Sequence, residues 1–140
     1  MKKILISGAG GSASTNFIKS LRLAPEPFYI VGVDSSKYHI KLSKADKNYV
    51  ISHCSSGDYI NQLSAIIKEE QVEFLHPQPD PEVAIISANK RILNVKTFLP
   101  NPIAIKIAHD KFWFNQEMKA KKVSCPKSWK IGRASCRERV

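Results

Sequence analysis

The first 23 residues constrain the fold of this chain more than any other stretch. Residues 2–7 (KKILIS) predict a buried strand, residues 8–12 (GAGGS) a glycine turn, and residues 13–23 a helix. A strand that passes through glycines into a helix leaves backbone N–H groups unpaired at the positive end of the helix dipole. The stretch therefore predicts an α/β fold with a turn that suits a phosphate or a carboxylate.

An acid follows the second predicted strand, residues 28–33 (FYIVGV). Asp34 lies 21 residues after Ala13, the last small residue of the fingerprint Gly8-x-Gly10-x-x-Ala13. In dinucleotide-binding folds an acid near this spacing holds a ribose, so an NAD(P)-binding domain of an epimerase or reductase is one interpretation. The alternative is that the glycines only allow tight packing of strand on helix and that Asp34 bonds to the neighbouring loop.

The rest of the chain alternates between strand and helix patterns. The predicted elements are a short helix or irregular crossover over 35–45, a strand over 48–52, a helix through Gln71 opened by a capping box at Ser55 and Asp58, a strand over 72–76, a helix from Pro81 to about Leu93, a fifth strand over 95–99, and helices over 102–108 and from an Asp110 N-cap to about Lys121. This order predicts a Rossmann-like, doubly wound parallel sheet of four or five strands.

Two acids follow the fourth predicted strand. Asp80 is a natural N-cap before Pro81, and Glu82 lies in the first helical turn, where the dipole favours an acid. Parallel sheets bind their ligands just past the carboxyl ends of their strands, so both acids are candidate ligand contacts. Capping alone is the alternative for Asp80.

Composition and motifs exclude several classes of protein. The chain has no apolar run of about 18 residues, and its start reaches glycine too early for a signal peptide, so we expect a cytoplasmic protein without membrane contact. The net charge is +10, but the lysines lack an aromatic-interleaved patch, so we expect no nucleic acid partner. The four histidines and three cysteines show no metal-ligand spacing, and no metal site is predicted.

The chain from Met1 to Lys130 resembles the N-terminal region of ATP-grasp ligases of the carbamoyl phosphate synthase-like group. The matching pieces are KILISGAGGSAS at residues 3–14, VGVD at 31–34, PDPEV at 79–83, HDKF at 109–112 and KKVSCPKSW at 121–129. The last piece resembles the family's passage into the ATP-grasp domain. Because these pieces occur in the family's order and spacing, the resemblance covers the whole stretch.

The resemblance implies a pre-ATP-grasp domain over residues 1–108, Rossmann-like, similar to the N-terminal domain of biotin carboxylase, and not a dinucleotide binder. Residues 109–130 would be a linker helix and the start of a truncated ATP-grasp domain. The resemblance assigns a substrate contact to Gly8, Gly10, Gly11, Ser12, Asp80 and Glu82, and an ATP phosphate contact to Lys111. Asp34 joins the candidate substrate-binding residues because of its spacing from the turn.

The implied reaction is an ATP-dependent ligation. A small-molecule carboxylate attacks the γ-phosphate of ATP, and an amine or another nucleophile captures the acylphosphate, while Mg²⁺ neutralises the phosphate charge. The catalytic residues would belong to a missing C-terminal ATP-grasp domain, so this fragment is expected to be inactive. A homodimer is left open, as are the NAD(P)-binding domain and a non-catalytic nucleotide-binding module.

Residues 131–140 (IGRASCRERV) look like the translation of a common sequencing adapter and not like natural protein. Without these residues, which include three Arg and one Glu, the net charge falls from +10 to +8. We therefore expect the last ten residues to be a non-native tail and the natural gene to continue beyond Lys130.

Overall fold

The structure of the chain, a computed structural model, describes residues 1–129. It divides into two compact units, of which the first is Met1–Pro102 and the second begins at Ile103. The predicted non-native tail lies outside the described residues. None of the helices in the described part is long and apolar enough to cross a membrane.

The first unit alternates strands with helices, as the sequence pattern predicts. Its elements are β1 (Lys2–Ser7), α1 (Ser12–Arg22), β2 (Phe28–Asp34), a 3-10 helix (His39–Leu42), β3 (Lys47–Val50), α2 (Tyr59–Glu70), β4 (Phe74–His76), α3 (Asp80–Ala88) and α4 (Lys90–Leu93). The predicted bounds of β1 are confirmed. The helix α1 begins and ends one residue earlier than predicted, and β2 ends one residue later.

The four strands form one parallel sheet in the order β3-β2-β1-β4. β1 lies inside the sheet, and its Ile4 pairs with Ile30 of β2 on one side and with Phe74 of β4 on the other. The chain adds β2 and β3 on one side of β1 and then crosses to add β4 on the other side. A crevice is expected where the strand order reverses, at the carboxyl ends of β1 and β4.

Side chains that alternate along β1 enter cores on opposite faces of the sheet. Ile4 and Ile6 pack with Ile18 of α1 and with Ile30. The larger core on the other face includes Leu5, Val31, Val33, Tyr59, Leu63, Leu75 and Ile86. Helices thus cover both faces, and the predicted Rossmann-like doubly wound fold class is confirmed.

The predicted fifth strand and the predicted single helix after β4 are not formed as expected. In place of a strand over 95–99, Lys96 makes one isolated bridge to Phe74, because β4 is only three residues long and offers a short edge. The helix from Pro81 to Leu93 is interrupted at Asn89, which separates α3 from α4. The Asn89 side chain donates to the carbonyl of Ile85, a local bond that competes with helix continuation.

Two predicted caps are also wrong. The capping box at Ser55 and Asp58 is not formed, because the Ser55 hydroxyl lies 2.9 Å from Nδ1 of His53, and the Asp58 side chain makes no capping bond. Asp80 is the first residue of α3 and not its N-cap. That place belongs to Pro79, so the carboxylate of Asp80 is exposed in the first turn.

The second unit contains α6 (Lys111–Ala120), which follows α5 (Pro102–His109) along the chain. Asp110 is the N-cap of α6, as predicted: its Oδ1 accepts from the backbone N–H of Phe112 at 2.9 Å and of Trp113 at 3.0 Å. This bond satisfies two of the donors that a helix start leaves unpaired.

The glycine turn after β1 is packed against two loops. Gly8 has a φ of 59°, which favours glycine, and a side chain there would collide with the ring of Pro79. A methyl group at Gly10 would overlap the backbone carbonyl of His39 in the 3-10 helix. The turn therefore needs glycine because other parts of the same chain approach it closely.

We expect Gly10→Ala to lower the free energy of unfolding by about 1–3 kcal/mol, because the methyl group must displace backbone. Gly57→Ala is the matched control, since nothing lies within 4 Å of the position of its Cβ. The control should change stability by less than about 0.5 kcal/mol. Urea unfolding measures both variants. Equal stabilities would contradict the close packing of the turn.

Candidate ligand-binding site

A cavity of about 250 Å³ lies at the carboxyl ends of β1 and β4. Its walls come from the glycine turn, the end of β2, the 3-10 helix, the loop before α2, and the chain from Pro79 into the first turn of α3. The lining residues are Gly8, Gly11, Asp34, Ser35, His39, His53, Cys54, Pro79, Pro81 and Glu82. The cavity thus lies at the point where a parallel sheet of this order is expected to bind its ligand.

A larger cavity of about 370 Å³ lies at the other end of the sheet, near the start of β2. Its Arg22 already donates to the carboxylate of Asp46 at 2.8 Å and to the carbonyl of Phe28 at 2.9 Å. We prefer the smaller cavity as the site, because its position follows from the sheet topology and the larger one is bordered by groups that satisfy each other.

The glycine turn brings the start of α1 to the cavity. Gly11 is the N-cap of α1, has no side chain to cap it, and donates its own N–H to the carbonyl of Gly8 at 2.9 Å. The first turn of α1 contains no acidic residue. The positive end of this helix dipole is therefore available to a negatively charged group of a ligand.

Asp34 ties the glycine turn to the end of β2. The side chain is buried, and its two carboxylate oxygens accept from the backbone N–H groups of Gly10 at 3.2 Å and of Ser36 at 2.9 Å. This is the loop-bonding role that the sequence left open as the alternative to a ribose contact. Asp34 also contributes its negative charge to the lining of the cavity.

Glu82 is a buried acid in the first turn of α3, and it accepts a hydrogen bond of 2.9 Å from the hydroxyl of Tyr59. Burial raises the pKa of Glu82. The hydroxyl groups of Ser7 and Tyr59 lower it, and the charge of Asp34 raises it further. Burial and the neighbouring Glu82 also raise the pKa of Tyr59, so this hydroxyl stays protonated and remains a donor.

The structure brings together only some of the predicted site residues. The cavity lining includes Gly8, Gly11, Asp34 and Glu82. Gly10 is buried against the 3-10 helix, and Ser12 and Asp80 are exposed first residues of α1 and α3. Lys111 is the exposed first residue of α6 in the second unit. The roles assigned to these residues stay predictions.

Several residues at the site were missed by the sequence analysis. They are Ser7, His39, His53, Cys54, Tyr59 and Pro79. Ser7 could have been predicted from the sequence, because it points to the same core as Leu5 and lies at the carboxyl end of a buried strand. A hydroxyl buried there needs a hydrogen-bond partner. His39 and His53 could not have been predicted as site residues, because the position of the 3-10 helix and of the loop before α2 depends on the whole fold.

The cavity is lined by two carboxylates, of Asp34 and Glu82, and by no Lys or Arg from the described part of the chain. The Cys54 thiol beside them has a pKa raised by burial and by Glu82, which favours the neutral thiol. Within residues 1–129 there is no cluster of three or more His, Cys, Asp or Glu suited to a metal ion. The arrangement can accept hydrogen bonds at Glu82 and attract negative charge at the start of α1.

The fold and this cavity define a Rossmann-like domain with a cleft at the switch point of its sheet. The family model of the PylC-like N-terminal domain matches residues 4–98. The chain therefore belongs to this family, because the match covers more than half of its length.

Solved structures with a similar fold include two of TM-score 0.60. One is glycinamide-RNase-transformylase T from Mycobacterium tuberculosis, at 17% identity over 86% of this chain and 35% of that one. The other is the biotin carboxylase domain of a single-chain bacterial carboxylase, at 13% identity over 88% of this chain and 30% of that one. The dTDP-glucose 4,6-dehydratase of Bacillus anthracis, solved with NAD, has a TM-score of 0.50 at 17% identity over 69% and 36%.

The chain spans only about a third of the length of each of these three structures. A search of the curated proteins found no match. The family match and the two folds with the higher score support the predicted pre-ATP-grasp N-terminal region.

The raised pKa of Glu82 predicts a pH-dependent effect of Glu82→Gln on stability. An acid whose folded pKa is raised contributes stability at low pH and loses it as the pH rises through that pKa. Gln cannot ionise, so Glu82→Gln should gain stability relative to the parent chain as the pH rises from the ordinary pKa of a glutamate through the raised pKa of folded Glu82. Urea unfolding at a series of pH values measures this difference.

Glu70 provides a control of opposite sign. Its hydrogen bonds from Lys47 and Tyr49 lower its pKa, so its contribution is present at neutral pH and is lost as the pH falls through the folded pKa. Glu70→Gln should therefore become less stable relative to the parent chain as the pH rises from the lowered pKa of folded Glu70 to the ordinary pKa of a glutamate, and the difference should stay constant above that. Parallel pH profiles for the two variants would contradict the environment described for Glu82.

Proposed function

We propose that this chain is the substrate-side domain of an ATP-dependent ligase, which joins a carboxylate to an amine or a similar nucleophile through an acylphosphate. The observation that carries the proposal is the cavity at the carboxyl ends of β1 and β4, which is lined by the start of α1 and by the buried acid Glu82 in a chain of this family. A helix start and an acceptor carboxylate in one cleft suit a ligand that has both an anionic and a hydrogen-bond-donating group.

The packing of the glycine turn argues against an NAD(P)-binding domain. The carbonyl of His39 lies against Gly10, and the carboxylate of Asp34 is bonded to the backbone of the turn. A pyrophosphate carries more negative charge than a single carboxylate, so it would be repelled more strongly by Asp34 and Glu82, and the described lining has no Lys or Arg to offset this. The similarity to a dehydratase solved with NAD concerns the fold alone.

In the proposed reaction, the residues of this domain bind and orient the substrate. The start of α1 attracts the anionic group, and Glu82 accepts a hydrogen bond from the rest of the molecule. ATP supplies the phosphoryl group, and Lys111 contacts its phosphates. The described residues offer no cluster that fits Mg²⁺, so no step is assigned to the metal here.

The proposal requires that the natural protein continue past Lys130 into an ATP-grasp domain. We expect genomic DNA read beyond codon 130 to encode roughly two hundred further residues with that domain's lysines, acids and glycine-rich lid. A stop codon at that point, or a substrate domain with a Tyr-x-x-x-Lys pair, would overturn the ligase proposal.

The chemistry can be tested on the completed protein with hydroxylamine, which converts an acylphosphate into a hydroxamate. With ATP and a panel of small carboxylates, we expect ADP release and a coloured iron–hydroxamate complex for the correct substrate. Glu82→Gln should lower kcat/KM for that carboxylate by about 10-fold or more, as loss of a charge-assisted hydrogen bond does. ADP release without hydroxamate for every carboxylate would contradict an acylphosphate intermediate.

The role of Lys111 has its own test in the completed protein. Lys111→Ala should raise the KM for ATP by about 10-fold, because a lysine bonded to phosphate contributes a charge-assisted hydrogen bond. Lys119→Ala, an exposed lysine in the last turn of the same helix, is the matched control and should leave the KM for ATP unchanged. Equal values for both variants would remove Lys111 from the ATP site.

A further inference from the structure

Three elements converge on the carboxylate of Glu82. Ser7 is the last residue of β1, Tyr59 the first of α2, and Glu82 lies in the first turn of α3. All three residues are buried, with exposed fractions of 0% for Ser7, 1% for Tyr59 and 8% for Glu82. Because Glu82 also lines the cavity, this cluster connects the core to the ligand site.

The hydrogen bond between Tyr59 and Glu82 holds one side of the carboxylate. The Tyr59 hydroxyl donates to Oε2 of Glu82 at 2.9 Å. Tyr59 packs in the larger core, so its ring is fixed by apolar neighbours and its hydroxyl is placed without access to water. A rigid donor of this kind restricts the rotation of the acid it bonds to.

The hydroxyl of Ser7 is a second, unused donor at the same place. It is completely buried and makes no hydrogen bond to another described residue. It lies close enough to both Glu82 and Tyr59 to affect their ionisation. An unpartnered buried hydroxyl is unfavourable in a core, so its presence beside a cavity acid points to a role toward that acid.

We propose that Tyr59 and Ser7 are positioning residues, which hold Glu82 so that the Oε1 side of its carboxylate faces the ligand in the cavity. The Tyr59 hydroxyl occupies Oε2, and the Ser7 hydroxyl supplies a further hydrogen bond to the carboxylate when the ligand draws it toward the cavity. The proposal deepens the proposed function and rests on Glu82 being a ligand contact.

The first test measures the ionisation of Glu82 in the chain of 140 residues, without any ligand. The chain is labelled with ¹³C-glutamate, and the Glu82 carboxyl signal is assigned by its absence from Glu82→Gln. Loss of a hydrogen bond to the ionised form raises a carboxyl pKa. We expect the titration midpoint of Glu82 to rise by about one to two pH units in Tyr59→Phe. It should also rise in Ser7→Ala, because the nearby Ser7 hydroxyl lowers the pKa of Glu82.

The titration must account for the other groups that face Glu82. Asp34 at the end of β2 raises the pKa of Glu82, and His53 in the loop before α2 lowers it. Cys54 of the same loop also interacts with Glu82. The NMR signals or the reactivity of these groups are followed in the same samples. A change in the midpoint of Glu82 while theirs stay the same supports the direct role of the two hydroxyls.

Tyr49→Phe is the matched control. The Tyr49 hydroxyl donates to Glu70 and, at 3.2 Å, to Glu69, so the same atom is removed beside a different acid. The midpoint of Glu70 should rise in this control, and that of Glu82 should stay unchanged. A Glu82 midpoint that is equal in Tyr59→Phe and the parent chain would overturn the proposal.

A second variant covers the case in which Tyr59→Phe does not fold. Replacement of Tyr59 alone by 3-fluorotyrosine keeps the shape of the side chain and makes its hydroxyl a stronger donor. The Glu82 midpoint should then fall below that of the parent chain. An unchanged or higher midpoint would count against the bond that the proposal requires.

Kinetics of the completed protein separate this proposal from the proposed function. Tyr59→Phe should raise the KM for the carboxylate substrate about 10-fold, shift the acid limb of the pH profile of kcat/KM upward, and leave the KM for ATP unchanged. If Glu82→Gln has full activity, the proposed function of Glu82 fails, whatever the titrations give. If Glu82→Gln is impaired and Tyr59→Phe is not, only the positioning role fails.

Discussion

The two-sided pairing of β1 is the interaction on which the rest of this structure depends. Its backbone is bonded to β2 on one side and to β4 on the other, so its carboxyl end must open into the crevice where the strand order reverses. The chain leaves that end through Gly8, whose positive φ turns it into α1. The crevice and the start of the helix therefore come from one short stretch of backbone.

The crevice becomes a cavity because segments from other elements close around it. His39 lies against Gly10, and Pro79 lies against Gly8, so the turn is filled from both sides. The remaining cavity is lined by the start of α1 and by the buried acid Glu82, which accepts a hydrogen bond from Tyr59 of α2. Tyr59 is fixed by the larger apolar core, and Asp34 is fixed by backbone N–H groups, so both ends of the site have a defined geometry.

Local signals predicted several elements that form this site, and the predictions that failed did so where other side-chain contacts competed with the expected ones. The apolar runs of β1 and β2 and the capping Asp110 were readable, because their patterns are satisfied within a few residues. The cap expected at Ser55 was lost to a bond with His53, and the helix after β4 was interrupted at Asn89. In both cases a competing side-chain contact, which spacing alone does not rank, changed the outcome.

The order of strands and helices, the glycine turn and the acids after β2 and β4 are properties of the sequence, because hydrophobic periodicity and turn residues act locally. Only the tertiary structure decided how those acids are used. In the folded chain, Asp34 accepts a hydrogen bond from the backbone of the turn, Asp80 is exposed, and Glu82 is buried against Tyr59. The physical reason is that burial and hydrogen-bond partners depend on residues distant in the chain, which meet only when the sheet has formed.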